Sequence, residues 1–129
     1  MPRRRVTFET VKELGLALPR VTEGTMYGTP ALKLDGQLLA CVPNHKSAEP
    51  DSLAVRIDFD QREGLLADAP DTYYLKPHYV DYPCVLVRLK RIHPDALQEL
   101  LKASWQFVNG RARKRRVTAG PPRAARRSR

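Results

Sequence analysis

Two stretches of this chain hold residues able to do chemistry. Lys76, His78, Tyr79 and Tyr82 crowd into one short run, able to donate hydrogen bonds to phosphate and to stack rings on a base or another planar ligand. The favoured reading, however, is that the two tyrosines pack over the sheet with His78 hydrogen-bonded locally, because Tyr-Pro-rich loops commonly fold back on their own domain. The second stretch is the C-terminus, where Arg111, Arg113, Lys114, Arg115 and Arg116, then Arg123, Arg126 and Arg127, stand without one acid among them. Each can meet a phosphate without reading a base. Uncompensated like charges repel and gain little unless an anion is present, which favours nucleic-acid binding over a merely solubilising tail. Arg88, in a strand-like segment, is a further candidate contact.

Other reactive residue types point to no reaction. Cys41 and Cys84 lie far apart in apolar runs with neither C-x-x-C spacing nor a patterned His or Asp, so both are expected to be reduced and packed. A His78 and Cys84 nucleophile pair lacks a recognisable orienting third residue, and Cys84 opens an apolar strand. His93 precedes Pro94 at a helix start, and His45 sits in a loop without an evident partner. Asp58, Asp60, Glu63 and Asp68 straddle a helix cap and read as a solvated face rather than a cation site. No catalytic residue, metal site or cofactor is assigned, and the chain is expected not to be an enzyme.

Charge is partitioned sharply. Residues 6–110 hold 11 Lys/Arg and all 14 Asp/Glu, a net of −3, so the formal +9 comes entirely from the two ends. A pI near 10.0 therefore describes a sum and not the surface of the folded part. That part can be the main electrostatic footprint on nucleic acid only if Lys33, Lys76, Arg88, Lys90 and Arg91 gather on one face. No run approaches the ~20 apolar residues of a membrane span. Residues 1–5 are followed by Thr7, Glu9, Lys12 and Glu13 rather than an apolar segment, so no secretory signal is expected. The expectation is a cytoplasmic protein without membrane contact, for which a monomer suffices.

The elements that must position these residues are legible from periodicity. Thr7 is a plausible N-cap, and Phe8, Val11, Leu14 and Leu18 form one apolar helical stripe ending by Pro19. Residues 22–27 read as turn-rich. Asp35-Gly36 between residues 31–34 and 37–42 predicts a type I′ hairpin, because that turn needs positive φ at both central positions. Residues 43–51 read as loop, and Leu53, Val55 and Ile57 alternate as a strand. Asp60 with Glu63 suggests a capping box for a short helix that Pro70 closes. Residues 73–75 and 84–89 read as strands, the second β-branched and central, with a proline-bounded loop or edge element between them. Pro94 at N1 opens a final helix through Leu97, Leu100, Leu101, Trp105 and Val108, predicted to stop at Gly110 with Trp105 as core anchor. The fold class is α+β, two-layer, in the order α-β-β-β-α-β-β-α, with helices packed on a mostly antiparallel sheet. The division is a basic arm 1–5, a domain 6–110 and a disordered Arg-rich tail 111–129.

Over nearly all of residues 7–109 the chain resembles the MmcQ/YjbR family, small bacterial proteins described as predicted DNA-binding proteins with a double-wing motif. The resemblance rests on Leu18-Pro19, on Gly28-x-Pro30 leading into Asp35-Gly36, on Lys76-x-His78-Tyr79, and on Glu99-Leu100-Leu101 with Ser104-Trp105. It implies helices on an antiparallel sheet, akin to secretion-chaperone-like and frataxin-like architectures, and DNA rather than RNA as partner. It carries no catalytic signature. Where relatives run Lys-x-His-Trp straight into the main strand, this chain has Tyr79 and the extra residues 80–83. The functional expectation is a non-enzymatic DNA-binding protein whose basic arm supplies most affinity and whose domain adds loop contacts. The alternative is a small-ligand or protein-binding module whose tail is only nonspecifically charged.

Overall fold

The computed structural model describes residues 6–118, with side chains through Arg111. Helix α1 (Phe8–Leu16) leads into strands β1 (Val21–Met26), β2 (Thr29–Leu34), β3 (Gln37–Cys41) and β4 (Ser52–Arg56). Helix α2 (Phe59–Asp68), strand β5 (Tyr73–Tyr74), a single 3₁₀ turn (Pro77–Tyr79), strand β6 (Cys84–Arg88) and helix α3 (Pro94–Thr118) follow. The strands form one antiparallel sheet in the order β1-β2-β3-β4-β6-β5. The α+β class and the antiparallel sheet are as expected.

The period of two sorts side chains to the two faces of the sheet. Leu32, Leu34, Leu53, Val55, Val85 and Val87 point to the helices and bury against Val11 of α1 and Leu97, Leu101 and Val108 of α3. Ala31, Cys41, Ala54, Cys84 and Leu86 point the other way, into a second cluster closed by Tyr74 and Tyr79. Among the described residues no α-helix covers that second face. It is roofed by residues 43–51 and by the 3₁₀ turn, which makes it the place where a ligand can approach the sheet. A bulge in β3 shapes it. Leu32 pairs with Ala40 and Lys33 with Leu38, so Leu39 is the extra residue. Both Leu38 and Cys41 consequently face the second cluster, and the Leu39 carbonyl accepts a bond from the buried Ser104 hydroxyl of α3 at 3.3 Å.

Four expectations need correction. Residues 21–26 are a strand, not a turn-rich stretch. β1 is an edge strand whose Thr22 and Glu23 face solvent, so it shows no apolar alternation, and Tyr27-Gly28 (φ 54° and 81°) turn it tightly into β2. The α2 cap is Asp58, which accepts from the Gln61 N–H at 2.7 Å, two residues before the expected Asp60. Helix α3 does not stop at Gly110 but continues to Thr118. Arginine, lysine and alanine are strong helix formers, and cations favour a helix C-terminus. Trp105 is half-buried rather than a core anchor. Its indole N–H donates to the Pro19 carbonyl at 2.9 Å, and the Arg20 guanidinium lies 5.5 Å over its ring. Arg20 also pairs with Asp35 and donates to Asn109 at 2.9 Å, clipping α3 to the β2–β3 turn. The Asp35-Gly36 hairpin is as predicted, with φ of 49° and 83°.

Candidate functional site

The unroofed part of the second sheet face is an open-sided groove of about 990 Å³. Its floor is made of small or slender side chains, Cys41, Ala54 and Cys84 on β3, β4 and β6, with Leu38 beside them. Rings stand around it: Tyr27 at the β1–β2 turn is 80% exposed, Tyr82 is 57% exposed, and His45, His78 and Tyr79 form one wall. Lys46 and Arg56 are its cations. No Asp or Glu lines it, although residues 6–110 hold 14 of them.

The histidine wall is tertiary in origin. His45 and His78 stack face to face, centroids 3.8 Å apart and planes within 11°, and both rings meet the Tyr79 ring edge-on. His45 is therefore partnered, contrary to its expected isolation. The Ser47 N–H donates to its Nδ1 at 3.1 Å, making Nδ1 the acceptor nitrogen. Tyr79 is buried and acts as a post beneath the pair; burial pushes its phenol up, opposed by a hydrogen bond from the His45 backbone. His78 is exposed, with the Tyr82 ring 6.2 Å away and tilted.

Arg62 of α2 holds this wall in place. Its guanidinium is buried and donates to the carbonyls of Tyr82 (2.9 Å), Val80 (3.1 Å) and Cys84 (3.2 Å), while the Phe59 ring packs 4.7 Å from it. The extra residues between Tyr79 and β6 are thus a loop wrapped around one cation. On the other flank, residues 43–51 are tied down through Glu49. Its carboxylate takes two 2.8 Å bonds from Arg88, which holds it below the usual carboxylate range, and its N–H donates to the Tyr74 hydroxyl at 2.8 Å.

The expected contact residues divide accordingly. His78, Tyr79 and Tyr82 come together at the groove, with Lys76 just outside, 5.8 Å from the Tyr74 ring. Arg88 is occupied by Glu49 and by the carbonyls of Pro70 and Asp71 at 3.2 and 3.1 Å. Lys90 pairs with Asp51 at 3.4 Å, and Lys33 lies along Gly24 at the far edge of the sheet. Lys33, Lys76, Arg88 and Lys90 do not gather into a bare patch. Arg111, Arg113, Lys114, Arg115 and Arg116 fall on the last turns of α3, while Arg123, Arg126 and Arg127 lie outside the described residues. Arg56 and Arg111 approach one ring, Phe107, at 5.8 and 5.4 Å, joining the groove to the basic end of α3. Sequence reasoning missed Arg56, Phe107 and Arg62, and the only available signal was that Arg56 keeps the β4 alternation on the face of Ala54.

Both cysteines are free and buried on the groove floor. Cys41 lies opposite Ala54, and Cys84 opposite Arg56, on the two strands flanking β4. Two strand spacings, about 9–10 Å, exceed disulfide reach. Burial pushes the Cys84 thiol up to about 11 and raises Cys41 as well, the reverse of an activated nucleophile. Among the described residues no cluster of His, Cys, Asp or Glu is arranged to hold a metal ion, and no helix is long and apolar enough to cross a membrane.

Comparison with known proteins agrees with this architecture. Uncharacterized proteins of Mycobacterium bovis and Mycobacterium tuberculosis are 41% identical over 56 residues, 43% of this chain and 43% of each relative, so the matched segment spans less than half their length. The crystal structure of Deinococcus radiodurans protein DR2400, with a DUF419 domain, superposes with a TM-score of 0.68 at 19% identity over 97% of this chain and 96% of that one, a likeness of fold. The YjbR family model matches residues 16–107, which include the hairpins, the histidine wall and most of α3, and the chain belongs to the YjbR family.

Proposed function

We propose that this protein is a non-enzymatic nucleic-acid-binding protein, DNA being the favoured partner, in which the basic end of α3 supplies most of the affinity and the groove supplies contacts to the bases. The observation that carries this reading is the groove itself. It is ring-walled and free of acids within an acidic domain, and it adjoins Arg111 through Arg56 and Phe107. Phosphates are attracted by the cations, and planar groups have rings to meet. Support for a binding role rather than catalysis comes from Cys41 and Cys84, whose thiols are held protonated by burial. Their free state suits a reducing compartment, in keeping with the cytoplasmic location proposed for the protein.

The test is the salt dependence of binding by the whole chain. Contact with about eight phosphates of a duplex gives a slope of log K against log salt near about −7. Replacing Arg113, Lys114, Arg115 and Arg116 together by Gln should make that slope shallower by about 3–4. No binding at low salt refutes the reading. That outcome would leave a small-ligand module, which a groove volume of about 990 Å³, close to that of known ligand pockets, favours as the second reading.

A further inference from the structure

Resting on the nucleic-acid reading, we infer that the groove is a receptor for an unpaired base, so that this protein distinguishes single-stranded DNA from duplex through the ring of Tyr82 and the stacked pair His45 and His78. A duplex hides the faces of its bases in the stack and offers only edges and phosphates. A groove walled by rings is matched to faces. Tyr82 is 57% exposed, yet its backbone is fixed, because its carbonyl is one of the three held by Arg62. The side chain is presented while the main chain is held by that bond, so less ordering is needed when a base stacks on the ring. His78 is exposed and already backed by His45 at 3.8 Å, a second planar surface held by its neighbour.

The floor supports the same occupant. Ala54, Cys41 and Cys84 leave depth where larger residues would fill it, and they offer an apolar surface without charge. The amide of Gln37 lines the groove, and that of Asn44, whose Nδ2 donates to the Tyr27 carbonyl at 3.4 Å, keeps its oxygen as an acceptor for the hydrogen-bonding edge of a base. Charge settles the occupant's sign. The lining has Lys46 and Arg56 and no carboxylate, and from Arg56 the path continues past Phe107 to Arg111 and the basic turns of α3. A base in the groove would leave its strand running toward those cations. An apolar peptide would find no reason for that path, and an anionic strand would.

The experiment uses the full chain with a fluorescently labelled oligo-deoxythymidylate and a blunt duplex of equal length, at matched salt. Tyr82→Ala should weaken single-strand binding by about tenfold, the order of one base stack, and leave duplex binding unchanged. Tyr82→Phe keeps the ring and should stay within about twofold of wild type. His78→Ala should act like Tyr82→Ala, and a base-specific photo-crosslink from the oligonucleotide should fall on residues 78–82. Equal losses on both probes, or no loss on the single strand, overturn the inference. If the charge-neutralised α3 variant loses both probes while the Tyr82 and His78 variants lose neither, nucleic-acid binding stands and base reception falls. If the unmodified chain binds neither probe, both fall together.

Discussion

Arg62→Met should destabilise the protein by about 2–4 kcal/mol and release the loop that carries Tyr82. The magnitude follows from what the guanidinium satisfies. Arg62 is only 5% exposed and donates to three carbonyls, those of Val80, Tyr82 and Cys84, without a carboxylate partner among these bonds. Removing it leaves the buried Cys84 carbonyl unsatisfied, at roughly 1–3 kcal/mol, while the other two, part-buried, regain water and lose about 1 kcal/mol each. Offsetting these is the relief of a desolvated cation, which keeps the sum at the lower end of a simple addition. Arg62→Lys, with one ammonium in place of a fork, cannot serve three carbonyls and should fall between. Urea unfolding gives the free energy, and hydrogen exchange gives the loop, where the Tyr82 and Cys84 amides should lose protection more than those of β2. A variant within about 0.5 kcal/mol of wild type, with unchanged exchange over residues 80–84, would refute the idea that one buried cation organises this wall.

Three other outcomes are expected. Gly15→Ala places a Cβ 2.3 Å from Leu32 Cδ1, where α1 crosses β2, and should cost about 1–3 kcal/mol in thermal or urea unfolding. Trp105→Phe removes the bond to the Pro19 carbonyl but keeps most of the packing, so a loss of about 1 kcal/mol is expected, well short of emptying a core position. Cys84 should alkylate slowly in the folded protein at neutral pH and faster as pH rises toward about 11, and its stabilising contribution, fully present below the ordinary thiol range, should be lost as pH climbs through that value.

What was legible in the sequence was what local physics dictates. Asp35-Gly36 announced a hairpin because few residue pairs accept positive φ twice, and Leu97, Leu101 and Val108 announced a buried helix face by spacing alone. β1 was hidden for the converse reason. Thr22, Glu23 and Gly24 carry no apolar alternation, since an edge strand has little to bury, and only Gly28 at the following turn marked it. The end of α3 was misjudged because glycine is a frequent stop signal but not an obligatory one; Gly110 is not among the residues at positive φ. The candidate site was half visible. His78 and Tyr82 were found by their crowding, whereas His45 lies far away in sequence and reaches His78 only because residues 43–51 fold back over the sheet. Arg62 sat on what reads as a polar helix face, and nothing in spacing distinguishes a solvated arginine from one buried against carbonyls.

The most direct test of the account is to map where a strand lies on the protein. Backbone amide chemical shifts of the full chain, followed while a short oligo-deoxythymidylate is titrated in, should move most at residues 43–46, 56, 78–84 and 107–116, the groove and the α3 end joined by Arg56, Phe107 and Arg111. Shifts confined to the C-terminal residues, or centred on the β1 edge with the groove silent, would contradict it.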